Sequence, residues 1–133
     1  MEKTSQLIAR VFLGHIFLMA GLSKIGGFEA TQGYMEAMGV PGGLLPLVIA
    51  LEVLGGLAII VGWQTKWAAI ALAGFSLVSA AIFHNNFADQ TQIIMFMKNV
   101  AIAGGFLLLA VHGAGAYSVD NRCRNVNAAV SRA

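Results

Sequence analysis

The chain has 133 residues, enough for one domain. It is 58% hydrophobic and 11% charged, with a mean hydropathy of +0.77, where a soluble domain carries about 25% charged residues. That excludes an ordinary soluble domain and reads as a membrane protein. The net charge of +2 comes from eight Lys and Arg spread thinly, with no basic patch interleaved with aromatics, so nucleic-acid binding is unsupported. Cys123 is the only cysteine, which excludes an internal disulfide and the paired-cysteine relay of quinone-linked disulfide-forming enzymes. No CxxC or HExxH motif occurs.

From the N-terminus, VFLGHIFLMAGL behind Lys3 and Arg10 has the length of a signal-peptide core. Gly26 and Gly27 follow Lys24 without an A-x-A-like cleavage site, however, and three more apolar segments come after, so the segment is expected to remain as a span. Apolar runs of about 20 residues predict transmembrane helices at 6–25, 43–63, 67–84 and 93–112. The expected fold is an all-α membrane protein in one domain over 1–133. It is a four-transmembrane-helix bundle, up-down-up-down because the connections are short.

Between the first two spans, GGFEATQGYMEAMGVPGG places Phe28, Tyr34, Met35, Met38 and Val40 on a polar background. A short interfacial helix over Thr31–Met38 is predicted, ended by Gly39 and Pro41 and lying on the headgroups as a lid. A ligand gate is the alternative reading of that lid. WQTK makes a short turn, 85–92 joins the last two spans, and 113–133 is a polar tail.

Lys3, Lys66, Arg122, Arg124 and Arg132 fall on one side, while the opposite loops hold Glu29, Glu36 and Asp89 and no cation. By the positive-inside rule both termini are cytoplasmic, and 26–42 and 85–92 face outward.

Glu52 is the one carboxylate inside LPLVIALEVLGGLAIIVGW. A charge at that depth costs at least about 2.5–3.5 kcal/mol, so it needs a partner. Arg10, Gly14, Phe17, Gly21 and Lys24 share one helix face, and small residues with charges mark it as inward. Glu52, Gly56, Ile59 and Trp63 form a similar line, as do Lys98, Gly105, Leu109 and His112; the third span offers Ala73, Ala80 and His84 beside Ser76. Glu52 lies roughly 13 Å deep, at 1.5 Å per residue. Depth makes Lys98 its expected partner and Lys24 the second choice, with Arg10 at the wrong end of its span. Such a pair can merely fix packing, or it can mark a substrate or proton path. Two lysines against one carboxylate would leave the outer pocket positive, suited to an anionic or quinone-like ligand, with His84 and Asn99 nearby.

His15, His84 and His112 lie at three different depths, so no pair matches for a bis-His haem, and His15 is expected to pack. Met35, Met38, Met95, Met97 and His84 gather toward the outer face, where soft ligands suit Cu(I), although interfacial methionines ordinarily serve as apolar filler.

RVFLGHIFLMAGLSKIGGF, LEVLGGLAIIVGWQTKWAAI and KNVAIAGGFLLLAVHGAGAYSVD together resemble the DoxX family of small four-span membrane proteins. GYMEAMGVPGGLLPLVIALEVLGG and FHNNFADQTQIIMFMKN resemble its YqjF-type inner-membrane members. The resemblance covers about Ala9 to Asp120. It implies a helical bundle in the bacterial inner membrane and an association with quinone-linked redox chemistry. The family's polar pattern falls on Arg10, Lys24, Glu52, Lys98 and Asp120.

Three functions compete. In the leading one the chain is the membrane subunit of a quinone-linked oxidoreductase system, holding a quinone or small aromatic compound between its helices. Glu52, Lys98 and His84 would carry the chemistry, and Lys24, Asn99 and Arg10 would bind the ligand. With no flavin, haem or iron–sulfur signature in the chain, a soluble redox enzyme would be the partner. The alternatives are a small-solute or proton carrier, and a membrane anchor for a soluble redox partner. A homo-oligomer is left open.

Overall fold

The computed structural model describes residues 1–133. The chain is helical throughout: α1 (Glu2–Gly26), α2 (Phe28–Ala37), a 3-10 turn at Gly42–Leu44 leading into α3 (Leu45–Val61), α4 (Thr65–Phe83), α5 (Gln90–His112) and α6 (Val119–Val130). Four of these, α1, α3 with its 3-10 turn, α4 and α5, are long and apolar enough to cross a membrane. Each predicted span is found, with ends shifted by a few residues. A helix is also found where the lid is predicted, over Phe28–Ala37 rather than Thr31–Met38.

Local chemistry sets the boundaries. Pro46 sits in the first turn of α3, where its missing N–H would have no helical partner in any case. Gly62 ends α3 with φ of 74°, a left-handed conformation in which the Arg10 and Ser118 side chains crowd the place a Cβ would take. Asp89 caps α5 by accepting from the Thr91 N–H at 2.9 Å.

α1 packs along α3 and α4 along α5, and the two pairs meet mainly where α3 touches α4. The buried residues of α1 are Arg10, Gly14, Phe17 and Gly21, the face expected to turn inward. Close approach is the reason for its glycines. A Cβ on Gly14 would stand 2.7 Å from the Gly56 carbonyl oxygen, and one on Gly56 would stand 2.8 Å from that of Gly14. Phe17, Ile59, Ala69, Leu72, Ala73, Ala103 and Phe106 form the core, with the Phe17 ring 5.5 Å from Phe106 and 6.3 Å from Phe75.

Two expectations are corrected. α5 turns Ala103 and Phe106 inward against α4, so Lys98 and His112 of its expected inward line are exposed, with Gly105 and Leu109 half-buried at the edge. Trp63 of the second line is exposed as well. The segment read as a polar tail contains α6, started by the Ser118 hydroxyl accepting from the Asn121 N–H at 3.2 Å.

Candidate functional site

Ionisable groups are drawn into the bundle in two layers. Lys24 and Arg10 mark them, roughly 21 Å apart along α1 at 1.5 Å per residue.

The first layer is the ion pair between Lys24, in the last turn of α1, and Glu52, in the middle of α3. Lys24 Nζ lies 3.0 Å from Glu52 Oε1, to which it donates, and 2.9 Å from Oε2. Glu52 is 3% exposed, and its Oε2 has no hydrogen-bond partner, being near the ammonium without hydrogen-bonding geometry. The expected Glu52–Lys98 pairing is therefore overturned. Lys98 lies at a suitable depth, but its helix packs on α4, whereas α1 lies directly along α3. Gly21 makes that approach possible, because a Cβ there would stand 3.1 Å from the Glu52 Cβ.

Beside the pair is a cavity of about 360 Å³ between the α1–α3 pair and α4, roofed by α2. Lys24 and Glu52 supply its charge. Tyr34 and Met35 come from the lid, and Phe75, Ser79, Phe83 and His84 from α4 and its end. Tyr34 stacks on Phe83 with centroids 5.5 Å apart and planes at 26°, so an aromatic contact holds the lid to α4. His84 Nδ1 lies 2.9 Å from Gln92 Oε1, which orients the ring.

Of the residues singled out in the sequence, Lys24, Glu52 and His84 line this cavity; Lys98, Asn99 and Arg10 do not. The Asn99 amide donates to the Met95 carbonyl of its own helix at 2.9 Å. Of the methionines, Met35 lines the cavity, while Met38, Met95 and Met97 are exposed. Sequence reasoning missed the aromatic wall. Its signal was present in Phe75, Ser79 and Phe83, four residues apart and hence on one helix face.

The second layer lies at the end carrying both termini. Arg10 is fully buried, and its Nη1 donates to the carbonyls of Ile59 and Ile60 at 3.4 and 3.3 Å, near the C-terminus of α3. Its Nη2 donates to the Tyr117 carbonyl. A guanidinium there satisfies carbonyls that the helix end leaves unpaired, so Arg10 works as a strut. Asp120 does the matching work for α4, accepting from the N–H groups of Gln64 and Thr65 at 2.8 and 2.9 Å.

The DoxX family model matches residues 5–85. The chain is 54% identical over 120 residues to the inner membrane protein YqjF of Escherichia coli (strain K12), covering 90% of this chain and 92% of that one. It is 40% identical over 124 residues to the inner membrane protein YphA of the same organism, covering 87% and 88%. Over 76 residues it is 33% identical to the putative oxidoreductase CatD of Bacillus subtilis (strain 168), covering 57% and 56%. No solved structure matches the chain significantly.

Proposed function

The chain belongs to the DoxX family of integral inner-membrane proteins, and on that premise we propose that it is the membrane subunit of a quinone-linked oxidoreductase system. The ligand is a quinone or small aromatic redox compound in the cavity beneath α2. The observation that carries this reading is the Lys24–Glu52 pair in the wall of an otherwise largely apolar, aromatic-lined cavity. A volume of about 360 Å³ fits a ring-sized head group, at the lower end of the range for small-molecule pockets. The name of the Bacillus subtilis relative, a putative oxidoreductase, points the same way.

A bound quinone supplies two-electron chemistry, taking up two electrons and two protons to become the quinol. The electrons come from a soluble redox enzyme. Lys24, only partly buried, donates a hydrogen bond to a carbonyl oxygen and stabilises the negative charge that grows there. Glu52 holds the ammonium in place. His84, on the cavity wall with one ring nitrogen engaged by Gln92, passes protons at the other. Phe75 and Phe83 would give the ring an apolar, aromatic wall along α4, beneath α2.

Solvent extraction of the purified protein, followed by mass spectrometry, tests the reading. Wild type should carry a quinone, or take up an added short-chain ubiquinone. Lys24→Met should lower the retained amount about tenfold, the worth of one charge-assisted hydrogen bond. Lys98→Met should leave it unchanged. A wild-type protein that neither carries nor takes up any quinone overturns the proposal.

A further inference from the structure

We infer that a second, polar pocket, at the end of the bundle carrying the termini, binds an anionic phosphate group at the depth of the lipid headgroups. It stands apart from the cavity beneath α2 and does not rest on the quinone reading. The pocket has a volume of about 390 Å³ and lies where the N-terminus of α4, the end of α5, the loop 113–118 and the start of α6 converge. Lys66, His112 and Arg124 line it, with Thr65, Asp120 and Asn121.

Three features point to a phosphate oxygen. The Thr65 hydroxyl is buried, in a residue 1% exposed, and has no hydrogen-bond partner. A buried hydroxyl left unpaired costs free energy that an incoming acceptor would remove. The Arg124 guanidinium is held by one nitrogen, Nη2, which donates to Asn121 Oδ1 at 2.7 Å and leaves its other donors available. The one carboxylate of the pocket is already engaged, because both oxygens of Asp120 accept backbone N–H groups of Gln64 and Thr65. Asp120 also answers the positive end of the α4 dipole, so the attraction for an anion comes from Lys66 and Arg124.

The depth follows from the tryptophans. Trp63 and Trp67, 56% and 65% exposed, flank the α3–α4 turn, and exposed tryptophans at span ends mark the level of the headgroups. Lys66 lies over the Trp67 ring, with Nζ 5.3 Å from its centroid, so its charge is at that same level. A basic pocket between spans at that level suits the phosphate of an anionic lipid. A free phosphate shares the chemistry, and the experiment separates the two sources.

The full chain is purified in nonionic-detergent micelles doped with phosphatidylglycerol, with the phosphate-free monoglucosyldiacylglycerol, or with no lipid but millimolar inorganic phosphate. Native mass spectrometry reads bound lipid, and the thermal midpoint reads stabilisation in each case. Phosphatidylglycerol should be retained and raise the midpoint, while the glycolipid should do neither. Stabilisation by inorganic phosphate as large as by lipid would assign the site to a soluble phosphate. Lys66→Gln with Arg124→Gln should weaken retention at least about tenfold. Lys3→Gln with Arg132→Gln removes the same charge elsewhere and should not. Thr65→Val, which removes a hydroxyl with no partner and so leaves the fold intact, should weaken it too. Equal retention of both lipids with no effect of inorganic phosphate overturns the inference. So does unaltered binding in Thr65→Val together with the double variant.

Discussion

A membrane-buried carboxylate is tolerated only with a partner, and the partner here is Lys24. Removing that lysine alone leaves Glu52, 3% exposed, with an uncompensated charge, which costs about 3–5 kcal/mol. Lys24→Met should therefore lower stability in detergent more than Lys24→Met combined with Glu52→Gln, in which no charge remains. Thermal or denaturant unfolding in one detergent measures this, and strictly additive losses would show that the two residues do not interact. Lys98→Met should be nearly neutral, since Lys98 is exposed. The sequence made Glu52, Lys24 and His84 legible because ionisable groups at that depth are rarely idle. It misassigned the pair because depth says how far along a helix a charge lies, and nothing about which helix is its neighbour. That neighbour relation is decided by the glycine contact of α1 with α3, where backbones approach closely enough for Lys24 to reach across.

At the level of elements, the same contact gives a graded prediction. At Gly56 a Cβ would meet the Gly14 carbonyl oxygen and the Leu18 nitrogen, each at 2.8 Å. Those are backbone atoms and cannot give way, so Gly56→Ala should push α1 and α3 apart and cost about 1–3 kcal/mol by overpacking. At Gly105 the nearest atom is a terminal methyl of Leu13 at 3.2 Å, which can shift. Gly105→Ala should leave the thermal midpoint within experimental error of wild type, and a loss equal to that of Gly56→Ala would place the tight crossing elsewhere. Hydropathy made all four spans legible, and glycine spacing identified the inward face of α1. The inward face of α5 was not legible. Its buried positions, Ala103 and Phe106, are apolar residues within a run that is apolar nearly all round, so no polar contrast marks them. α6 escaped notice because VDNRCRNVNAAV is polar overall. Its apolar stripe, Val119, Cys123, Val126 and Val130, follows helical spacing but buries none of its residues in the fold. The Ser118 cap was its plainest mark.

The whole molecule separates two jobs. An apolar core built on Phe17, Ile59, Leu72 and Phe106 lies between the Lys24–Glu52 layer and the Arg10–Asp120 layer, and no ionisable side chain is buried between them. The Lys24–Glu52 pair with its cavity thus lies at one end of the bundle, and the structural tie of Arg10 and Asp120 at the other. Which end meets which compartment decides where the redox partner of the proposed system would dock. Lys3, Lys66, Arg122, Arg124 and Arg132 gather at the end of the termini, and the lid end carries Glu29, Glu36 and Asp89 in its loops. By the positive-inside rule the first end is expected in the cytoplasm and the cavity beneath α2 toward the periplasm. Cys123 reports this directly, being the only cysteine and exposed on α6. A membrane-impermeant maleimide should leave it unlabelled in right-side-out spheroplasts and label it once they are permeabilised. Moving the thiol to the opposite end, by Ala88→Cys in a Cys123→Ser background, should reverse the pattern, because Ala88 is exposed in the 84–89 connection. Labelling of Cys123 in intact spheroplasts, with Ala88→Cys protected, would invert the molecule and give the cavity to the cytoplasm.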